Sequence, residues 1–355
     1  MIKILDWYVA KVIASTTAFC LLILVGLSSM LKFVEQLKSV GQGTYSMFDA
    51  AAFVFLMVPR DIEMFFPMAA LLGALIGLGM MATNSELVVM QAAGISRLQV
   101  ILSVMKTAIP LMILVMILGE WGAPWAEREA RNLRTQEISG GSLIKSEQGL
   151  WAKDGSSFVH VSKVIETGLL NKVTVYQFDD NKSLSKVTKA QVARYQDKVW
   201  QLEDVNQTTF SEHRTQVLNT DNLLWQSSLT PDKLGVVTVK PESLSIQGLT
   251  DYLAYLKANK QDTGRYDLAL WRKVMQPLTV GVMMLLALSF VFGPLRSVSM
   301  GARLVMGVIT GFAFHLSNSA FGPISLVYQL PPIFGAIFPS LLFLAIAAYF
   351  LNKRA

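Results

Sequence analysis

Charge is missing from long stretches of this chain, and a chain built that way has to place those stretches out of water. The first uncharged run, Val12 to Leu31, lies between Lys11 and Lys32. It is about 20 residues long, which as a helix covers about 30 Å, the depth of a bilayer's hydrocarbon core. That is longer than the apolar region of a secretory signal peptide, and no small-x-small cleavage site with a polar start follows it, so it reads as a retained span. A second run, Met64 to Asn84, is rich in small residues (Ala69, Ala70, Gly73, Ala74, Gly77, Gly79), which let helix backbones approach closely where lipid supplies no hydrophobic drive. Ala50 to Val58 before it is too short to cross and ends at Pro59-Arg60-Asp61; it reads as an interfacial helix or a kinked extension of span two. A third run, Leu98 to Gly119, contains one charge, Lys106, whose plain account is snorkelling to the near interface. The fourth is Val274 to Leu295, and after Arg303 no charge appears until Lys353. Gly322-Pro323 and Pro331-Pro332 divide that last stretch into a hairpin of two spans.

The expected fold is therefore a polytopic α-helical membrane protein of six spans. Lysine and arginine in short loops set its orientation. Lys3, Lys11, Arg97, Arg296, Arg303, Lys353 and Arg354 fall on one side, whereas the first opposite loop balances Lys32, Lys38 and Arg60 with Glu35, Asp49, Asp61 and Glu63. Both termini are expected in the cytoplasm, and the polar segment between spans three and four outside it. That segment shifts to period two from about Ser142 to Ser243. Phe158–Val161, Val173–Phe178 and Val199–Leu202 alternate, with turn residues at Asp154-Gly155, Asp179–Lys182 and Asp197-Lys198. Short strands at regular spacing predict an antiparallel sandwich or jelly roll. Trp125 to Glu137 continues span three as a helix, and Leu249 to Asn259 forms a short helix leading back to span four. The expected division is residues 1–135, with three spans and a cytoplasmic helix near 84–97, then 136–247 as the β-domain, then 248–355 with the connecting helix and three spans.

Several functions are excluded or weakened. The 31 Lys+Arg and 25 Asp+Glu give +6, but no dense basic run with interleaved aromatics suggests nucleic acid. One cysteine, Cys20, rules out an intrachain disulfide, and with three scattered histidines it argues against a structural zinc site. No P-loop, H-E-x-x-H or G-x-S-x-G occurs, so the chain does not hydrolyse ATP by a P-loop and shows no recognisable hydrolase site. Asp179-Asp180 reads as a polar turn, and His315, beside Ser317 and Asn318, as a hydrogen-bonded helix contact. Gly293-Pro294-Leu295-Arg296 reads as a helix stop.

Two features carry chemistry. Between spans two and three, Asn84-Ser85-Glu86-Leu87-Val88-Val89-Met90-Gln91-Ala92-Ala93-Gly94 reads as a short apolar helix capped by Ser85 and ended by Gly94. A cytoplasmic partner explains it, or lipid on which it lies. At the opposite side stand Lys32, Lys38, Arg131 and Arg134, the last two on one helical face. They suit the phosphates of an anionic amphiphile, or ordinary interfacial anchoring. A membrane-anchored lipid enzyme and a scaffolding protein that moves outer partners are the rival readings; the first lacks a convergent nucleophile, and the second gives the cations no role.

Phe65-Phe66-Pro67-Met68-Ala69-Ala70-Leu71-Leu72-Gly73-Ala74-Leu75 followed by Ser85-Glu86-Leu87-Val88-Val89-Met90-Gln91-Ala92 resembles the LptF/LptG family of lipopolysaccharide-export permeases. Gly140–Leu143, Gly149–Gly155, Thr230–Val237 and Phe292–Val298 look like one branch of it, and the resemblance covers essentially the whole chain. It implies an ABC-type permease in the inner membrane of a Gram-negative bacterium that pairs with LptF around a central cavity. A dimer of the ATPase LptB docks below, LptC adds a helix, and a periplasmic jelly roll passes lipopolysaccharide toward LptA. No cofactor belongs to this chain; ATP and magnesium go to the ATPase. The resemblance assigns Glu86, Leu87, Met90 and Arg97 to ATPase coupling. It matches Lys32 and Lys38 to positions for lipid A phosphates, and Arg134 with Arg131 to a basic stretch. Ser39 departs from relatives that carry a second lysine there. On this reading, lipid enters from the outer leaflet between span one and the partner's span five, and movement of the coupling helix narrows the cavity.

Overall fold

The computed structural model describes residues 4–139, 149–166, 168–179, 181–211, 214–231, 233–234, 240–292 and 298–352. Helices α1 (Ile4–Leu37), α2 (Met47–Thr83), α3 (Glu86–Ala92) and α4 (Arg97–Ile117) lead through a π-helical turn, Leu118–Gly122, into α5 (Ala123–Ser139). Six strands follow: β1 (Leu150–Asp154), β2 (Ser157–Glu166), β3 (Leu169–Phe178), β4 (Leu184–Gln196), β5 (Val199–Ser211) and β6 (Arg214–Trp225). The chain returns through a 3-10 turn, Pro241–Ser243, to α6 (Ile246–Ala258), α7 (Gly264–Phe292), α8 (Met300–Val327) and α9 (Pro332–Asn352). Among the described residues six helical stretches are long and apolar enough to cross a membrane: α1, α2, α4 with α5, α7, α8 and α9. The expected six spans are present, joined to an antiparallel β-domain.

The helices outrun the uncharged runs that revealed them. α2 is 37 residues, about 55 Å at 1.5 Å per residue. Its amino end is fixed by a capping box between Ser46 and Asp49, and it passes straight through Pro59 and Pro67. Ala50 to Val58 is thus the extension of span two, and Phe53 and Val54 pack there on Ala130 of α5. Trp125 to Glu137 does continue span three as a helix. At the last hairpin the reading needs correction. Gly322-Pro323 lies inside α8, and the turn falls at Tyr328–Pro331. Arg272 of α7 stands against Gly322 and donates to the Asn318 carbonyl, so side-chain bonding supports the backbone around the proline.

α2 is the hub of the bundle, touching α1, α3, α5, α7 and α8. The small residues read from the sequence, Ala69, Ala70, Gly73, Ala74, Gly77 and Gly79, are all buried. A Cβ on Gly73 would overlap Thr17 of α1, and one on Gly77 would come 3.0 Å from Thr16 Oγ1. Thr16 Oγ1 also donates to the Gly73 carbonyl at 2.7 Å. This is a small-xxx-small seam that brings two backbones together. Gly73→Val is expected to cost about 1–3 kcal/mol by overpacking and to lower the unfolding midpoint in detergent. Gly26→Val, where a Cβ meets nothing within 4 Å, should leave the midpoint unchanged; equal losses would remove the seam as the cause.

The β-domain has its own core. Its strands pair in sequence order, β1 to β6, all antiparallel. That order is a meander; closure into a jelly roll is not part of the described pairing. The turn between β4 and β5 uses Asp197 (φ 50°) and Lys198 (φ 66°), the pair of left-handed residues that matches strand twist. Asp179 closes the β3–β4 turn by accepting from Ser183 N at 2.8 Å; Asp180 lies outside the described residues. Val159, Val161, Val173, Val175, Trp200 and Leu202 face one way. They are covered by Leu229 and Leu234 and by Tyr252, Tyr255 and Leu256 of α6. The short helix expected at Leu249 to Asn259 is α6, and it is the lid of this core as well as the lead back to α7. Burial pushes the Tyr255 phenol up to about 12, so it stays protonated and donates to the Lys153 carbonyl at 2.5 Å.

Candidate functional site

The bundle has two ends: one closed by α3, the other carrying the sheet. At the sheet end, buried acids meet cations from four helices. Lys32 of α1 donates to Asp61 of α2 at 2.5 Å, and Ser28 holds the other oxygen of Asp61 at 3.1 Å. Arg60 Nη1 donates to Glu63 at 2.7 Å, and Lys273 of α7 lies 3.1 Å from the same carboxylate. Glu127 of α5 takes Arg131 at 2.6 Å, Ser243 at 2.6 Å, and stands 3.6 Å from Arg60 Nε. Asp61, Glu63 and Glu127 are each no more than 3% exposed. Ionisable groups at this depth persist because they are paired.

The π-helical turn belongs to this network. Its Gly119 carbonyl accepts from Lys273 Nζ at 2.8 Å, and a Cβ at Gly119 would come 2.8 Å from Glu63 Oε1. Glu120 in the same turn accepts from the backbone N–H groups of Ile246 at 2.7 Å and Gln247 at 3.2 Å. A carboxylate placed on the first N–H groups of α6 caps that helix. The turn therefore ties the chain's return from the sheet to the bundle, a recurrent use of π-bulges.

The remaining two cations lie farther out. Arg134 donates to Ser39 Oγ at 3.3 Å and stacks over Phe53 with its guanidinium carbon 5.9 Å from the ring centre. Ser39 thus holds Arg134 at the end of α1, next in sequence to Lys38. Lys38 is exposed and makes no side-chain hydrogen bond or ion pair among the described residues. Gly43 and Thr44 of the α1–α2 loop close on the end of α5, with Thr44 N on the Glu137 carbonyl at 2.8 Å. Tyr45 is fully buried beneath; burial pushes its phenol up, against the opposing pull of Arg134. Of the four cations read from the sequence, Lys32 and Arg131 are bound to acids, whereas Lys38 and Arg134 face outward.

At the opposite end α3 sits between α2 and α4. Ser85 does not cap it: that residue is left-handed (φ 61°) with no side-chain cap bond. Gly94 (φ 86°) does end it, with Ile95 N bonding back to the Met90 carbonyl at 3.0 Å. Leu87 is buried in the main core and Met90 packs against it, while Val88 and Val89 are 57% and 65% exposed. Glu86 accepts from Tyr8 of α1 at 2.9 Å, and Arg97 is exposed at the first position of α4, behind the Ser96–Gln99 capping box. Lys106 is held by Asp6 of α1 at 2.8 Å, a partner the snorkelling account lacked. His315 is half-buried and makes no hydrogen bond among the described residues, since Ser317 bonds back to its own helix at Ala313. The expected hydrogen-bonded contact at His315 is not made among the described residues. Gly293–Arg296 and Gly140–Leu143 lie outside the described residues.

A family model described as the lipopolysaccharide export system permease LptF/LptG matches residues 7–353. The chain belongs to the LptF/LptG family. It is 50% identical to the lipopolysaccharide export system permease protein LptG of Escherichia coli strain K12, over 99% of both chains. It is 48% identical to LptG of Haemophilus influenzae, over 100% of this chain and 99% of that one. Likeness to LptF of E. coli K12 is 28% over 109 residues, 30% of each chain. At full length the likeness is thus to the LptG side of the family. Sequence reading of this LptF/LptG permease missed Asp61 and Glu63, which it treated as balancing loop charges, and gave Glu127 and Lys273 no role. The available signal was that several spans each carry an ionisable residue near the same end.

Proposed function

We propose that this chain is the membrane subunit that moves lipopolysaccharide, pairing with LptF and driven by a separate ATPase, LptB, docked at α3. ATP and magnesium bind that ATPase; this chain supplies the lipid path and the lever. LptC and LptA complete the route, with the β-domain in the periplasm and both termini in the cytoplasm of a Gram-negative cell. The observation that carries the reading is the sheet end of the bundle. There Lys38 and Arg134 face outward beside Lys32 and Arg131, next to uncovered apolar helices. On α1, Phe19, Leu22, Leu27, Met30, Leu31 and Val34 are all more than half exposed. α8 leaves Val305, Ile309, Phe312 and Leu316 equally bare. Cations above an apolar wall suit a phosphorylated lipid, phosphate at the cations and acyl chains on the wall. Both bare helices pack on α2, which suits a partner permease contributing the facing helices.

At the α3 end, Leu87 and Met90 anchor the helix to the bundle, so a push on α3 reaches the core directly. Val88 and Val89, with Glu86 and Arg97 beside them, are the surface left for the ATPase. Val89→Asp and Glu86→Lys are each expected to weaken co-purification of the ATPase roughly tenfold, the loss typical of a central interface residue. Unchanged co-purification for both would remove α3 as the docking element. The whole function is tested by reconstituting the chain with LptF, LptB and LptC in liposomes and following lipopolysaccharide release to LptA. Release that needs ATP and falls when Lys38 and Arg134 are both changed to Asp supports the reading; release indifferent to the double change sinks the cationic path.

A further inference from the structure

Asp61 has no place in a description that ends with cations meeting phosphate. It is 2% exposed, one oxygen bonded to Lys32 at 2.5 Å and the other to Ser28 at 3.1 Å. The Lys32 side chain is 27% exposed, so of the two partners it is the lysine that reaches the surface. An ammonium has three donors and no rigid geometry, and it can turn from a carboxylate to a phosphate by rotating a flexible stem. Glu127 holds Arg131 in the same way, but Arg131 is bound through two of its nitrogens, Nε at 3.1 Å and Nη2 at 2.6 Å. Both nitrogens donate to the same Glu127 oxygen, which holds the planar guanidinium in one orientation, whereas a lysine ammonium turns on a flexible stem. Lys32 is therefore the exchangeable cation of the pair, and Asp61 is the anion with which a ligand phosphate must compete.

We propose that Asp61 is an internal competitor for the phosphate of a phosphorylated lipid, a positioning residue that acts through Lys32 to weaken binding and aid release. The inference rests on the reading of Lys32 as a phosphate-facing cation. Its physical content is a swap of one anion for another at a single ammonium. When ligand phosphate leaves, Lys32 is not left unpaired near the membrane interface but returns to Asp61, whose geometry Ser28 maintains. The cost of stripping the cation from its ligand is offset by the internal pair. Without Asp61 the bound state loses its competitor and the free state loses its stable form.

The test uses the full chain assembled with its permease partner and ATPase in nanodiscs. Its probes are bis-phosphorylated lipid A, lipid A lacking both phosphates, and inorganic phosphate as a free competitor. Asp61→Asn keeps the shape and an acceptor for Ser28. It is expected to tighten binding of phosphorylated lipid A roughly fivefold, the worth of one ion pair whose cation reaches solvent, and to slow ATP-driven release. Binding of the phosphate-free lipid should not move. Lys32→Gln should weaken phosphorylated lipid alone, and Asp61→Asn added to it should give no further gain. Asp61→Ser serves as a second variant and should act in the same direction. If Lys32→Gln leaves binding unchanged, the reading of Lys32 itself fails. If Lys32→Gln weakens binding but neither Asp61 variant tightens it, only the competitor role fails. A gain that persists in the Lys32→Gln background, or appears equally with phosphate-free lipid, overturns the proposal, as does failure of both Asp61 variants to assemble with the partner. Displacement by millimolar inorganic phosphate would mean that the pair senses free phosphate, and the lipid assignment would be overturned.

Discussion

Glu63→Leu is expected to destabilise the bundle by about 3–5 kcal/mol, the loss seen when one partner of a buried ion pair is removed. Its carboxylate receives Arg60 at 2.7 Å and Lys273 at 3.1 Å. Without it Arg60 still has Glu127, but Lys273, only 8% exposed, keeps among the described residues the Gly119 carbonyl as its hydrogen-bond acceptor and the more distant attraction of Glu120. An ammonium held there without a directly bonded anion is the source of the loss. Glu63→Leu combined with Lys273→Met should recover most of it, because a well-packed apolar pair can replace a buried ion pair at little net cost. Denaturing-detergent titration of the four chains gives the coupling directly, expected at about 2 kcal/mol or more. Strictly additive losses would mean that the two residues do not act as a pair and that the network is a set of separate contacts.

That network marks where local reading of the sequence stops. A span declares itself by what it lacks, and the uncharged run from Val12 to Leu31 needed no knowledge of any other helix. The full α1, Ile4–Leu37, takes in Lys32, whose charge looked like a boundary, and Asp6, which lies beyond the other boundary at Lys11. They sit inside the helix because Lys106 answers Asp6 from 100 positions away and Asp61 answers Lys32 from 29. Pairing at that separation leaves no periodic trace. The same holds for Glu127 where it takes Arg60 and Ser243, 67 and 116 positions away. Alternation exposed β2, β3 and β5, whereas β6 is mostly exposed along its length, Val217, Leu218 and Leu224 included, so it carries no burial pattern to read. Ser85 shows the reverse failure. A serine before a helix predicts a cap, but the tight turn from α2 into α3 needs a left-handed residue there, and the turn geometry prevails over the local preference. The cations at 32, 38, 131 and 134 were legible as a set; that two of them are already bound to acids was not.

Trp200→Ala is expected to unfold the β-domain while leaving the spans in place. Trp200 is fully buried among β-strand residues and the α6 tyrosines, with its ring 5.0 Å from Tyr195 and 6.3 Å from Trp225. Truncating such a side chain costs about 3–5 kcal/mol in transfer and cavity terms. The indole Nε1 also donates to the Leu229 carbonyl at 2.7 Å, and an acceptor stranded in the core adds about 1–3 kcal/mol. Trp200→Phe separates the two, keeping most of the volume and losing only the bond. Since a domain of this size holds roughly 5–15 kcal/mol in all, the alanine variant removes much of what is available. The spans have their own core around Leu71, Leu75, Leu78, Met283 and Leu286, with no member in common with the Trp200 cluster. Hydrogen–deuterium exchange on the assembled complex should therefore show protection falling across residues 150–225 and unchanged in α1, α2 and α7. Equal loss in both halves would mean that the clamp of Glu120 and Glu127 on the segment from Ser243 to Gln247 makes the two cores one cooperative unit, and motion in either half would then be felt directly in the other.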